Sequence, residues 1–158
     1  MDRKPKGTQP AFLLAQVGAH AATKFGERLS VLKLTPPDAG ILRMLAFSAG
    51  LSQQELSNRL NIHPSRLVAI LDELESRGIV ERRPHPEDRR QYSLHLTEKG
   101  RETMSDIMRI GREHQEALCA ALTHDEREQL GQLLKKIADE QGLTPGVHPG
   151  YSRLKPPR

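Results

Sequence analysis

The sequence has few of the residues that build rigid cores, disulfide frameworks or membrane spans. Its 158 residues include one cysteine, Cys119, so no disulfide can form within the chain, and a reducing, cytoplasmic setting fits. Tryptophan is absent and aromatic residues make up 3% of the chain, so any core must be built mostly from aliphatic side chains. No run of about 18 apolar residues is present, so we expect no membrane span. An apolar secretory stretch is also missing from the N-terminus.

Patterns that carry catalysis are missing as well. The seven histidines show no metal-ligand spacing, and neither a nucleophile elbow nor a glycine-rich phosphate loop occurs. Cys119 lies five residues after His114 on one predicted helix, a spacing that does not bring the two side chains together. We interpret Cys119 as a small buried residue at a helix interface. The sequence therefore predicts a protein that is not an enzyme and needs no cofactor or metal.

Helical periodicity covers most of the chain. Apolar residues recur at steps of three or four in residues 11–32 and again from Leu130 to Ile137. The predicted order is helix, helix, short helix, helix, hairpin, long helix, helix, which is a mainly α fold with a small β-hairpin. Hydrophobic residues make up only 36% of the chain, and such a lean core indicates that apolar surface is buried against a partner chain.

The run from residue 51 to residue 100 contains the most informative pattern. Residues 52–55, Ser-Gln-Gln-Glu, fit a capping box that starts a short helix, and residues 61–62 form a turn. Pro64 suits the first position of a second helix, which closes at residues 77–78, Arg-Gly. Residues 79–83 and 92–96 are predicted to pair as an antiparallel hairpin beside the two helices.

Positive charge is concentrated at the tip of this hairpin. Between Arg82 and Arg90 there are four arginines and one histidine against two acids. An arginine suits the narrow, electronegative minor groove of A·T-rich DNA. Asp88 can accept hydrogen bonds from a neighbouring arginine and hold it in one pose. A solvated charge run is the alternative for the tip alone, but the helix pair immediately upstream favours DNA binding.

Three short motifs at fixed spacing resemble the DNA-binding core of the MarR family of bacterial winged-helix repressors. They are Leu74-Glu75-x-Arg77-Gly78-Ile79-Val80-x-Arg82, then Asp88-Arg89-Arg90, then Leu96-Thr97-x-x-Gly100. The resemblance covers about residues 11–142. It implies a winged helix-turn-helix lobe at 35–100 and dimerisation helices at 11–34 and 101–142. The proline-containing ends are predicted to be a flexible basic arm at 1–10 and a flexible tail at 143–158.

The resemblance also implies a function. The expected protein is a homodimeric transcriptional repressor that binds a palindromic operator in double-stranded DNA. By similarity, Ser65 and Arg66 would contact bases or phosphates in the major groove, Arg90 would enter the minor groove and Arg89 would contact a phosphate. The full predicted DNA-binding set is Ser52, Gln53, His63, Pro64, Ser65, Arg66, Ala69, Arg82, Asp88, Arg89 and Arg90.

Several of these assignments carry alternatives. Ser52 and Gln53 are placed to bind phosphate through backbone N–H groups at a helix N-terminus. His63 is as well explained as a turn residue or N-cap as by DNA contact. Arg82 and Arg83 alternate across a strand, so at most one of them faces DNA, and the other pairs with a nearby glutamate. Pro64 and Ala69 depart from the usual family pattern, so base recognition would rest on Ser65 and Arg66 together with contact to a thymine methyl group.

Members of the family often bind small phenolic or carboxylate compounds in a cleft between the dimer base and the winged lobe. Relatives that sense oxidants place a cysteine in the first helix, which has none here, so a redox role for Cys119 is not expected. The alternative to a DNA-binding repressor is a winged-helix module for protein–protein interaction. The candidate effector-binding residues are His20, Phe25, Arg43, Met44 and Met104.

Overall fold

The structure, a computed structural model, describes residues 9–151. Residues 1–8 of the predicted arm and residues 152–158 of the predicted tail lie outside this range. Six α-helices and one β-hairpin follow in the predicted order, which confirms the fold class. They are α1 (Pro10–Leu29), α2 (Pro36–Phe47), α3 (Gln53–Leu60), α4 (Pro64–Ser76), β1 (Val80–Pro84), β2 (Tyr92–Leu96), α5 (Glu98–Leu118) and α6 (His124–Glu140). One-turn 3₁₀ helices at Ser30–Leu32 and Pro149–Tyr151 complete the described elements.

Side-chain caps fix where several helices begin. Ser52 accepts a hydrogen bond from the backbone N–H of Glu55, and the Glu55 carboxylate accepts one from the Ser52 N–H at 2.8 Å. Thr123 and Glu126 form the same reciprocal box at the start of α6. Each box satisfies two N–H groups that would otherwise have no partner in the first helical turn. These boundaries are therefore encoded locally.

The hairpin is tied to the helices by one further strand contact. β1 and β2 pair antiparallel, with Val80 opposite Leu96 and Pro84 opposite Tyr92. Leu51 forms an isolated bridge with Leu94 on the free edge of β2. Because the segment just before α3 is hydrogen-bonded to the hairpin, the helix pair and the wing form one rigid lobe.

Aliphatic side chains from α2, α3, α4, both strands and α5 as far as Ile110 form the core of this lobe. The distribution of burial changes sharply toward the C-terminus. Within His124–Glu140 no residue is buried. Among residues 9–151, no helix combines the length and the apolar character needed to cross a membrane.

The tail predicted to be loose from residue 143 is instead folded as far as the described chain extends, so that prediction is wrong for this part. Pro149–Tyr151 forms a 3₁₀ turn, and the Tyr151 side chain is buried in the core cluster. Val147 is partly buried against the same cluster. The prediction from the proline content did not take into account the large apolar surface of Tyr151. The free energy gained by burying this ring outweighs the conformational entropy lost when the segment becomes ordered.

Candidate nucleic-acid interface

The N-terminus of α4 is built by His63. Its Nδ1 accepts a hydrogen bond from the Ser65 backbone N–H at 3.3 Å and lies 2.8 Å from the Ser65 Oγ. The N-cap alternative is therefore what the structure shows, and an accepting Nδ1 leaves the ring proton on Nε2. A DNA contact through Nε2 stays a prediction. Pro64 occupies the first helical position, where its missing N–H costs nothing.

Helix α4 has one face in the core and another open to solvent. Leu67, Leu71 and Leu74 are buried, and they anchor the helix to the lobe. The other face is exposed, and it carries three residues of the predicted DNA-binding set, Pro64, Ser65 and Ala69. A helix of this width fits the major groove of B-DNA. The exposed residues are Pro64, Ser65, Val68 and Ala69.

Arg66 lies at the edge of this exposed face and is half-buried. Its Nη1 donates a hydrogen bond of 2.6 Å to the backbone carbonyl of Tyr151. A guanidinium has five N–H donors, so this bond leaves donor capacity for a phosphate or a base edge. Nothing in the sequence around Arg66 signals that its partner comes from 85 positions away.

The start of α3 is less available than the sequence predicts. Ser52 is buried, and its N–H is already bonded to Glu55. The prediction that Ser52 offers this N–H to a phosphate is therefore wrong. The same bond, with a smaller opposing effect of burial, lowers the pKa of the Glu55 carboxyl. Gln53, the first residue of α3, is half-buried, and its predicted role stays a prediction.

The wing tip is an ordered turn organised by Asp88. One carboxylate oxygen of Asp88 accepts a hydrogen bond from the Arg90 backbone N–H at 2.9 Å, and the Asp88 carbonyl accepts one from Gln91 N–H at 3.0 Å. Asp88 thus fixes the backbone that carries Arg90, whereas the sequence predicts a grip on an arginine side chain. Arg89 and Arg90 both project into solvent. The result is a hydrogen-bonded turn that presents two adjacent cations.

Arg82 does not face outward, and its assignment to the DNA-binding set is wrong. Its guanidinium donates a hydrogen bond of 2.7 Å to Asp72 Oδ1 and another hydrogen bond to the Glu75 carboxylate. Arg82 therefore joins β1 to α4. Burial acts to lower the pKa of Arg82, but the bonds to Asp72 and Glu75 outweigh it and hold that pKa above its ordinary value. Arg83, the alternate residue, pairs with Glu81, as predicted for whichever arginine turns away from DNA. Cross-element partners of this kind are invisible in a strand pattern.

Three further residues of the sequence motifs brace the lobe. Arg77 donates to the carbonyls of Leu32 and Lys33, which ties the end of α4 to the segment before α2. The Thr97 hydroxyl accepts from Gly100 N–H at 3.0 Å and donates to the Gly78 carbonyl at 2.6 Å. A Cβ at Gly100 would overlap the Ile79 carbonyl oxygen. These motif positions therefore hold α4, the hairpin and α5 together.

Comparisons with known proteins agree with this geometry. Residues 32–91 match the family model described as MarR family. The HTH-type transcriptional repressor Rv2887 of Mycobacterium tuberculosis is 30% identical over 129 residues, which is 82% of this chain and 93% of the relative. The chain belongs to the MarR family of winged-helix transcriptional regulators. The predicted family and fold are thereby confirmed.

Solved structures similar to this chain include complexes with DNA. The complex of Rv2887 with DNA aligns with a TM-score of 0.72 at 30% identity and covers 83% of this chain and 98% of that one. A mutant of Escherichia coli MarR complexed with operator DNA aligns with a TM-score of 0.69 at 30% identity and covers 80% and 91%. Both are regulators rather than enzymes, which agrees with the predicted absence of catalysis.

The structure gives the five predicted effector-binding residues different surroundings, and their role stays a prediction. Met104 lines a cavity of about 370 Å³ between the end of α2, the base of the wing and the start of α5. Phe25 instead packs against the rings of His114 and His148, at centroid distances of 5.6 and 5.4 Å. Met44 is half-buried against the core, and His20 and Arg43 are exposed. Sequence reasoning missed the residues that share the cavity with Met104, which are Leu45, Ala46, Ala49, Arg83, His95, Leu96 and Arg101.

Proposed function

We propose that this MarR-family protein is a sequence-specific repressor that binds a palindromic operator as a homodimer. One observation carries the DNA-binding part. A single rigid lobe presents the exposed face of α4 and, beside it, a fixed turn with Arg89 and Arg90. A helix and an arginine-bearing loop in this arrangement can engage a major groove and the neighbouring minor groove.

Apolar surface on the terminal helices supports the homodimer. Leu133 is 53% exposed on α6, and Phe12 is 64% exposed on α1, although both are large and apolar. A monomer that left these faces in water would lose the hydrophobic gain of burying them, roughly 25 cal/mol per Å². A second copy offers the same apolar faces and can cover them. The exposed residues of this surface are Phe12, Leu13, Leu14, Val17, Leu118, Leu130, Leu133, Leu134, Ile137 and Leu143.

Two-fold symmetry then accounts for the palindrome. A single lobe supplies a modest interface, and specific affinity usually requires two. Two α4 helices related by a two-fold axis read half-sites that repeat in inverted orientation, about 34–36 Å apart along the duplex. We therefore expect the operator to be an inverted repeat with one helical turn between half-site centres.

The DNA-binding proposal is tested by fluorescence anisotropy with a duplex from the region upstream of the gene, over a salt series. Arg90→Gln should weaken binding through the loss of the minor-groove contact, and Arg89→Gln should reduce the slope of log affinity against log salt by about 0.9, the value for one lost phosphate neutralisation. Arg109→Gln removes the same charge from an exposed side chain of α5 and is the matched control. Absence of binding to any duplex at low salt would refute the repressor and leave the protein-interaction alternative.

The dimer proposal is tested by sedimentation. The wild-type chain should sediment near twice 17.7 kDa. Leu133→Asp places a charge in the apolar surface and should shift the protein toward monomer, with a parallel loss of DNA affinity. Phe47→Asp changes a residue that is 76% exposed and lies in the 35–100 lobe, outside the predicted dimerisation helices, so it should stay dimeric. A wild-type monomer would refute the half-site reasoning.

We also propose that a small aromatic carboxylate releases the repressor by binding the cavity beside Met104. The cavity joins apolar Leu45 and Leu96 to the cationic Arg83 and Arg101, which suits a ring with one carboxylate. Because the cavity lies where the wing meets α5, an occupant can bias the angle between the DNA-binding lobe and the dimer base. Release requires that the ligand bind the operator-incompatible arrangement more tightly than the compatible one.

Benzoate tests this proposal, with neutral benzyl alcohol as the matched compound. Benzoate should lower DNA affinity in the wild type, and Arg101→Gln should weaken that response without changing DNA affinity in its absence. If benzoate and benzyl alcohol act equally, or if Arg101→Gln leaves the response unchanged, the cavity is not the effector site.

A further inference from the structure

The Arg66 side chain of α4 is held by a backbone group from the other end of the described chain. Its Nη1 donates a hydrogen bond of 2.6 Å to the Tyr151 carbonyl, and Arg66 is half-buried. This bond uses one of the five N–H donors of the planar guanidinium and fixes the direction in which the others point. An arginine that is already held in one pose loses less side-chain entropy when it binds an anion. The Tyr151 carbonyl therefore prepares Arg66 for binding.

The position of this carbonyl is fixed by the Tyr151 ring. An added Cβ at Gly40 of α2 would have three Tyr151 side-chain atoms as its nearest neighbours, at 2.5 to 2.9 Å. Glycine at position 40 therefore provides the space that the ring occupies. Tyr151 is buried in the core cluster of the lobe. Because interiors are close-packed, the ring cannot move away without leaving a cavity.

The turn that precedes Tyr151 is held as well. The His148 ring contacts the rings of Phe25 and Tyr151, at centroid distances of 5.4 and 5.8 Å. The Gly150 N–H donates a hydrogen bond of 2.9 Å to His148 Nδ1, and a Cβ at Gly150 would come within 3.0 Å of Pro36. Contacts with both α1 and the start of α2 therefore hold the backbone that carries the Tyr151 carbonyl.

Arg66 and Tyr151 line a concavity of about 600 Å³ at the turn between α3 and α4 and the first residues of α4. Asn58 and Asn61 also line it, and none of its lining residues in the described chain is acidic. A guanidinium beside neutral polar side chains suits an anion with several acceptor oxygens. Beside a helix that enters the major groove, the anion at hand is a phosphate of the DNA backbone.

We propose that Tyr151 is a positioning residue for DNA binding. Its buried ring fixes its carbonyl, and the carbonyl holds Arg66 so that the remaining donors of the guanidinium meet a phosphate beside the groove that α4 occupies. This role rests on the proposed DNA-binding function. It gives the turn Pro149–Tyr151, which lies outside the predicted 35–100 lobe, an effect on DNA affinity that is exerted through Arg66.

Anisotropy with the full chain and the upstream duplex, over a salt series, measures the effect. Arg66→Gln should lower affinity about eightfold at ~0.1 M salt and reduce the salt slope by about 0.9, because it removes one phosphate contact. Gly40→Ala drives a methyl group into the Tyr151 ring, while alanine suits helix α2 better than glycine. It should lower affinity about two- to eightfold, between the cost of ordering a released arginine and the whole contribution of Arg66.

The decisive measurement is the coupling between the two changes. In a chain that already carries Arg66→Gln, Gly40→Ala should have no further effect on affinity, because no guanidinium is left to position. Gly100→Ala is the matched control, since it also adds a methyl group to a helical glycine with a close neighbour, the Ile79 carbonyl oxygen. Its effect on affinity should be the same with and without Arg66→Gln.

Tyr151→Ala removes the ring without a clash and should repeat the coupling with Arg66→Gln, whereas the conservative Tyr151→Phe keeps the ring and should restore affinity and slope. The positioning role is refuted if the losses from Gly40→Ala or Tyr151→Ala add to that from Arg66→Gln, as they would if the turn only stabilised the lobe. An unchanged affinity in Tyr151→Ala, or an equal loss in Tyr151→Phe, would also refute it. If the wild-type chain binds no duplex, the proposed function itself fails, and the role of Arg66 with it.

Discussion

Replacing Arg82 distinguishes a structural brace from a DNA contact. The Arg82 side chain is only 14% exposed, whereas its partners Asp72 and Glu75 are 62% and 43% exposed. Arg82→Met keeps the aliphatic stem and removes both charge-assisted hydrogen bonds. Since the two carboxylates remain hydrated after the change, no buried charge is left unpaired.

The exposure of these side chains sets how much unfolding free energy Arg82→Met should remove. A hydrogen bond to a charged group contributes about 1.5–3 kcal/mol when well sheltered, and an exposed ion pair about 0.2–1 kcal/mol. The bonds of Arg82 lie between these cases, because the arginine is largely buried and both carboxylates are in contact with solvent. We expect Arg82→Met to lower the free energy of unfolding by about 1–2 kcal/mol in total, and to lower it less at high salt, where exposed carboxylates are screened.

Urea denaturation at fixed protein concentration measures this change, and a double-mutant cycle with Asp72→Asn isolates the bond that spans β1 and α4. Arg83→Met is the control, because Arg83 pairs with Glu81 within the same strand and is more exposed. The salt slope of DNA binding should not change with Arg82→Met. A slope reduced by about 0.9, with the free energy of unfolding unchanged, would refute the brace and restore the DNA contact.

Three further changes probe the lobe. Ser52→Ala removes the cap on the Glu55 N–H and should cost about 1 kcal/mol of unfolding free energy in urea; wild-type stability would contradict the cap. Gly100→Ala drives a methyl group into the Ile79 carbonyl and should cost about 1–3 kcal/mol; wild-type stability would contradict this close approach. Burial, aided by Arg83 and opposed by Glu81, lowers the pKa of His95. Its contribution to stability is therefore present above the ordinary histidine pKa and is lost as pH falls through the lowered value, a dependence that His95→Gln should remove.

Local sequence signals placed the elements well because their causes are local. The capping boxes at Ser52 and Thr123 act over three residues, and the left-handed turn after α4 requires only a glycine at position 78, with φ at +69°. The alternation in residues 92–96 predicted β2 with both of its ends. The periodicity in residues 11–32 continues past the end of α1 at residue 29, where the chain tightens into the 3₁₀ turn Ser30–Leu32.

Side-chain roles within the candidate site were harder to predict. The sequence placed Arg82 in the DNA-binding set, but its direction depends on how the hairpin packs on α4. Ser52 has the right residue type at a helix N-terminus, yet its own capping partner takes the N–H. In both cases a carboxylate of the protein binds the group that was predicted to bind DNA. The order of residues in the sequence does not show that this carboxylate lies close to it.

The sequence by itself determined the order of elements, the family motifs and the cationic tip of the wing, because each is a property of residues within a few positions of one another. Only the tertiary structure decided that Arg82 braces the wing, that Phe25 and Met104 belong to different environments, and that Tyr151 folds back over Gly40 to meet Arg66. Those outcomes depend on which distant surfaces come into contact when apolar side chains are buried. The pairing of residues 66 and 151 follows from that packing.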